Sequence, residues 1–287
     1  MATLWHSLKQ DPQQARMLLT ALALGVAMAL EALWPRRVAQ RRRRWLVNVV
    51  LVLLAGLLLS VLPIAAIGVA AWAQAHRLGL LAILSLPPPA AIVVAVIALD
   101  AAMYWQHRCM HGPDWLWRLH RVHHSDLEFD VTTALRFHPA ELLAAWTWKL
   151  AAIVLLGASP LAVLVFETLT GIYSLFIHSN LHLPERWDRR LRMLLVTPDL
   201  HRVHHSVRID EGNRNFGTIL TLWDRVFASH CGRPLDGHDG MQLGLPVFRD
   251  ADAQSLPALL WQPLRGAAGP EIMPTDAAPN GGRDRGS

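Results

Sequence analysis

Ten histidines fall into four tight clusters, and they are the residues of this chain best placed to do chemistry: His107 with His111, His120 with His123 and His124, His178 with His182, and His201 with His204 and His205. On a helix, positions i and i+4, or i, i+3 and i+4, share a face. Each cluster therefore aims its imidazoles toward one point. Neutral imidazole nitrogen is a good ligand for iron, zinc, copper and nickel, so the pattern points to metal coordination. The chain also repeats itself: Leu-His-Arg-Val-His-His-Ser stands at 119–125 and again at 200–206, each copy preceded by a His-x-x-x-His pair. Five histidines per half are too many for one ion and suit two ions with positions left open. The zinc metalloprotease pattern His-Glu-x-x-His is absent. His6, His76, His230 and His238 read as ordinary surface or core residues, and His138, in Arg136-Phe137-His138-Pro139, is placed near the site without being a first-choice ligand.

Liganding histidines pass their second N–H to a carboxylate, a carbonyl or water. Asp126, Glu128, Asp130, Asp199, Asp210 and Glu211 flank the clusters and are candidates for that role, against the alternative of solvated loop acids. Asp100 precedes His107 by seven residues on the same helix face, where a carboxylate within a span is costly unless partnered. It is expected beneath the metals or paired near Tyr104. Glu167, Thr170, Ser174, His178 and His182 form one polar stripe, which is expected either to line a cavity leading from the bilayer to the metals or to pack against neighbouring helices.

The elements that must carry these residues are membrane helices. Apolar residues make up 53% of the 287 and charged residues only 17%, below the ~25% of a soluble domain. Spans are expected at 15–34, 45–73 (tilted or kinked near Pro63) and 90–106, since about 20 apolar residues cross a bilayer. Stretches 142–157 and 161–177, linked only by Ala158, Ser159 and Pro160, are expected as a hairpin that dips in and returns. The expected fold is thus all-α and integral to the membrane, with four to five membrane helices capped by a helical histidine-rich region. Residues 1–89 supply N-terminal membrane helices, 90–261 the metal-binding domain and 262–287 a disordered tail. Arginines cluster at the ends of apolar runs, Arg36, Arg37 and Arg41 to Arg44 above all, which places that flank and the histidines in the cytoplasm. The same clustering argues against nucleic-acid binding. Two cysteines, Cys109 and Cys231, make no disulfide framework.

With these residues in place, the chain resembles the fatty acid hydroxylase and sterol desaturase superfamily over about residues 90 to 230. The four histidine motifs carry the resemblance, together with Arg136-Phe-His138-Pro139, Asn215-Phe-Gly217 and Trp223-Asp224-Arg225. The resemblance implies oxygen-dependent hydroxylation or desaturation of a membrane lipid such as a fatty acyl chain or sterol. It implies two iron ions held by the ten histidines, with zinc a possible substitute in purified protein, at a bacterial inner membrane. Electrons would come from a separate ferredoxin or b-type cytochrome with its reductase, as no carrier domain is fused. One position departs from the pattern: a glycine expected after Phe227 is Ala228. A non-oxidative metal-dependent lipid enzyme, or a metal transporter or sensor, are the competing readings. The substrate and the oligomeric state are not written in the motifs.

Overall fold

The structure, a computed structural model, describes residues 11–38, 42–62 and 65–266. Among these residues the elements are helical, and extended pairings are limited to isolated bridges. Helix α1 (Pro12–Leu33) starts three residues before the apolar run because Asp11 caps it, its carboxylate accepting from the N–H groups of Gln13 and Gln14. The uncharged run at 45–73 is not one tilted span. It divides into α2 (Arg42–Ser60) and α3 (Ala66–Ala75), and Pro63, the expected site of a kink, lies outside the described residues. A short α4 (Leu80–Leu84) comes next, followed by α5 (Pro88–Met110), which carries His107 in its last turn and ends on His111. Helix α6 (Asp114–His124) holds the second cluster.

The expected hairpin is present as α7 (Pro139–Leu156) and α8 (Pro160–Ile177), each opened by a proline in its first turn, with Gly157 between them in the left-handed region. Gly79 packs onto that turn. A Cβ on Gly79 would lie 2.1 Å from the Gly157 nitrogen, and one on Gly157 would lie 2.3 Å from the Leu78 carbonyl, so backbone meets backbone where only glycine fits. This contact lies at the end of the hairpin opposite the histidines. It settles the path: α2 and α3 together carry the chain away from the histidine end, and α5 returns it. All four clusters therefore share one face of the bundle.

Helices α1, α5, α7 and α8 are each long and apolar enough to cross a membrane. The far halves of α5, α7 and α8 pack with α3 through Ala66, Ala70, Ala95, Leu99, Ala152, Ala162 and Phe166. Small residues at those positions let membrane helices approach closely. At the histidine end, the shorter helices α9 (Glu185–Leu191), α10 (Pro198–His204), α11 (Ile209–Gly212), α12 (Leu222–Val226), α13 (Gly237–Gly240) and α14 (Leu256–Trp261) form a cap. Val122 of α6 packs with Leu51 of α2 and Leu259 of α14, tying cap to bundle. The expected tail boundary at 262 moves outward: Gln262 and Pro263 are buried, and Arg121 donates to the carbonyls of Gln262 and Arg265. The rest of that tail, 267–287, and His6 lie outside the described residues.

Candidate metal centre

Nine of the ten clustered histidines converge, and they do so in two groups. His107, His111, His120, His124 and His204 form one; His123, His178, His201 and His205 form the other. Within each group the candidate ligand atoms lie within 4.8 Å of one another. The sequence repeat explains the partition. Successive helical residues are about 100° apart, so adjacent histidines at the end of a helix diverge. His124 stays with its own half while His123 crosses to the second group, and in the other copy His205 stays while His204 crosses to the first. Each half lends its middle histidine to the opposite group.

His182 is the exception and corrects the ten-ligand expectation. The i, i+4 spacing from His178 counts only while the helix continues, and α8 ends at Ile177 with His178 as its C-cap. Leu181 then bridges to Pro35, the His182 N–H binds the Trp34 carbonyl at 2.8 Å, and the His182 side chain is exposed. Since His182 is the counterpart of His111 in the repeat, the second group is one nitrogen short of the first.

Hydrogen bonds fix the rings. Nδ1–H of His107 donates to the Phe216 carbonyl at 2.9 Å, that of His123 to the Arg136 carbonyl at 3.2 Å, that of His178 to the Ser174 carbonyl at 2.7 Å and that of His204 to the Arg214 carbonyl at 2.7 Å. His111 Nδ1 meets Asn213 Oδ1 at 3.1 Å, and His120 Nδ1 meets a Glu141 carboxylate oxygen at 2.5 Å. A ring that donates from Nδ1 in its neutral form presents a lone pair at Nε2. Two such pairs face each other: His107 and His120 with Nε2 atoms 3.1 Å apart, and His123 and His178 at 3.2 Å. Opposed lone pairs at that distance repel unless a cation lies beside them. The Nε2 atoms of His111, His204 and His205 are buried and have no hydrogen-bond partner. The donor set therefore fits two metal ions, one for each group. Burial holds the imidazoles outside the spans below their ordinary range, His178 to about 4, which keeps them neutral and ready to ligate.

Glu141 was missed from sequence, although it stands three residues after His138 in the first turn of α7. It is the one carboxylate on a ring of either group among the described residues. Glu141→Gln is expected to lower affinity for the first ion by 10- to 100-fold, the usual cost of losing such a partner, measurable as metal retention against a competing chelator. Six of the acids named from sequence do other work. Asp100 accepts from the backbone N–H of Ile219 (3.3 Å) and Leu220 (3.2 Å) and from Trp223 Nε1 (2.8 Å), so it clamps the loop whose Phe216 carbonyl orients His107. Asp199 pairs with Arg202 and lies 3.6 Å from Arg36, fastening α10 to the segment after α1. Asp126 and Asp130 both bind Arg44, Asp210 pairs with Arg208, and Glu211 caps the Leu235 N–H. His138 turns away from the metals: its Nδ1 accepts from the Ala140 N–H and its Nε2–H donates to the Leu260 carbonyl, making it the cap of α7.

A cavity of about 220 Å³ runs from the histidines into the bundle, walled by His107, His120, His123, His178, His201 and Glu141. Its membrane end is lined by Thr170 and Ser174, two members of the polar stripe, and by Met103, Leu142 and Ala145. The same five residues line a second cavity of about 280 Å³ that contains Glu167. Both metal groups thus border a passage that opens among the membrane helices.

The fatty acid hydroxylase family model matches residues 92–229, the segment that supplies all nine convergent histidines. This segment is a fatty acid hydroxylase domain. The chain is 32% identical over 136 residues to alkylglycerol monooxygenase of Danio rerio, covering 47% of this chain and 29% of that protein. It is 32% identical over 146 residues to ornithine lipid hydroxylase OlsE of Rhizobium tropici, covering 50% and 42%. It is 29% identical over 138 residues to Delta(7)-sterol 5(6)-desaturase erg3B of Aspergillus fumigatus, covering 46% and 36%. No solved structure matches. The chain spans less than half the length of these curated relatives.

The remaining motifs of the hydroxylase domain build its histidine-orienting loops. Asp224 accepts from the N–H groups of Phe216 (2.8 Å) and Gly217 (2.9 Å) and from Ser229 Oγ (2.7 Å), and burial pushes its carboxyl up to about 6. Arg136 is fully buried, donating to the Val122 carbonyl and to Ser125, while Phe137 stacks on His123 with ring centres 4.4 Å apart. Ala228 has φ +54, the left-handed region that favours the glycine expected there. Ala228→Gly should therefore stabilise the protein by about 1 kcal/mol, seen as a raised melting temperature at unchanged metal content.

Proposed function

We propose that this chain is a membrane-bound di-iron oxygenase that hydroxylates or desaturates a lipid, drawing electrons from a separate ferredoxin or b-type cytochrome system. The observation that carries the reading is the passage bordered at once by both histidine groups and by membrane helices. The activities named for the relatives, monooxygenation, hydroxylation and desaturation, are oxidations of lipids by oxidoreductases. Bound iron would supply the reduction of dioxygen and the removal of hydrogen from an unactivated C–H bond. The chain's own part is positional. His107, His111, His120, His124 and His204 would hold one ion. His123, His178, His201 and His205 would hold the other and leave it more open. Glu141 meets the Nδ1 of His120 and so fixes the orientation of that ring. Met103, Leu142 and Ala145 accept hydrocarbon, and the bilayer around the passage keeps bulk water away from the reacting carbon.

The arginines support a cytoplasmic metal face. Arg36, Arg37 and Arg44 all bind groups of the histidine cap, so an arginine-flanked cytoplasmic face is also the metal face. The test is iron analysis of purified protein together with lipid mass spectrometry of cells with and without the gene, with and without oxygen. The expected result is about two irons per chain and a lipid that gains an oxygen or loses two hydrogens only under oxygen. Iron-free protein and an unchanged lipid profile would sink the reading, and activity that persists without oxygen would favour a zinc-dependent hydrolase.

A further inference from the structure

The outer cavity holds a charge cluster that the metal chemistry does not use. Arg16 of α1 contacts Glu167 Oε2 of α8 at 2.5 Å, and Lys149 of α7 contacts the other carboxylate oxygen of the same residue. Two cations thus share one anion. Among the described residues neither cation pairs with a second carboxylate. A surplus positive charge at a lipid-facing position is costly unless something neutralises it. The three side chains border open space, about 280 Å³ shared with Trp146, Leu59 and Phe166, and Thr170 beside them has a buried hydroxyl with no hydrogen-bond partner. A structural ion pair needs only one cation and no cavity.

We infer that Arg16 and Lys149 receive the anionic head group of an acyl lipid, whose chain then runs past Thr170 and Ser174 to the histidines. This rests on the lipid-oxygenase reading and narrows its substrate class. A carboxylate or phosphate satisfies the surplus charge and the free donors, whereas an uncharged sterol or glycerol ether leaves them unmet. Glu167 precedes His178 by eleven residues on α8, about 16 Å at 1.5 Å per residue. The carbon presented to the metals therefore lies well along the chain, away from the head group.

Trp146 lines the cavity and reports occupancy without any turnover. The full-length protein in neutral phosphatidylcholine nanodiscs is titrated with dibromostearic acid, its methyl ester and a dibrominated phosphatidic acid. The Trp146→Phe protein identifies the part of the quenching that comes from Trp146. At least one acid should bind ~10-fold or more tighter than the ester, the scale of one charge-assisted hydrogen bond. Preference for the fatty acid assigns a carboxylate head group, and preference for phosphatidic acid a phosphate. Arg16→Gln with Lys149→Gln should bring the acids down to the ester, and Glu167→Gln, which removes the competing carboxylate, should widen the gap. Equal binding of acids and ester by the unaltered protein overturns the inference, and this comparison needs no variant to fold. Iron content and lipid oxidation are scored separately, so failure of the head-group site and failure of the oxygenase reading give different results.

Discussion

His123→Ala lowers the bound metal from about two ions per chain toward one, while His182→Ala leaves both in place. The contrast follows from the partition of the nine histidines. The second group has four members, so removing His123 leaves three nitrogens from His178, His201 and His205. A four-ligand structural site is worth about 10–16 kcal/mol, or roughly 3 kcal/mol per ligand, so one loss weakens binding on the order of a hundredfold. The exchanged counterpart, His204→Ala, takes the first group from five members to four and should retain its ion with reduced affinity. His182 is exposed and bound to Trp34 only through its backbone, so its ring has nothing to lose. Metal analysis by mass spectrometry after dialysis against a mild chelator reads all three variants. Equal losses from His182→Ala and His123→Ala would mean that the chain beyond α8 folds back to the site. That result would refute the nine-histidine assignment.

Some features of this site were written in residue order and others only in the fold. The repeated heptapeptide was legible, and so was the convergence of distant clusters, because the hairpin parity placed them on one face. The exchange of His123 and His204 between groups was not, since helical spacing says that neighbours diverge but not which partner each one meets. His182 misled because i, i+4 spacing holds only inside a helix, and His178 already caps one. For Asp100 residue order allowed two placements, beneath the metals or paired near Tyr104, and only the fold shows the loop 119 residues away that brings three N–H donors to it. The ring-orienting carbonyls of Phe216, Arg214, Arg136 and Ser174 leave no trace in side-chain identity, because every residue carries a carbonyl. Glu141 did leave one, a lone acid in the first turn after Arg-Phe-His-Pro. The division of the uncharged run at 45–73 into two helices was not legible, because hydropathy measures length and not continuity.

Acidification from pH 7 to 5 is expected to destabilise the metal-free protein steeply, and to strip metal from the loaded protein in the same direction. Burial lowers the histidines outside the spans, His111, His120, His123, His124, His178, His201, His204 and His205, below their ordinary value near 6.5. For His178 the folded value is about 4. Between about 6.5 and 4 the unfolded chain therefore takes up a proton that the folded chain refuses. Stability is full above that window and falls with pH inside it, by about 1.4 kcal/mol per unit for each such group. At pH 5 one group of this kind already removes about 2 kcal/mol, a large share of a typical 5–15 kcal/mol total. Asp224 works the other way. Its folded value is raised to about 6, so it takes its proton before the unfolded chain does and gains stability as pH drops toward 4. One carboxyl cannot offset eight imidazoles. Ions on the nitrogens exclude the protons, so loaded protein should hold its melting temperature to a lower pH and then lose metal and fold together. Thermal unfolding of chelated and loaded protein in detergent from pH 7.5 to 5 checks this. A flat melting temperature for the chelated form across that range would mean that the histidines are hydrated and already exchange protons in the fold, contrary to the packed site described above.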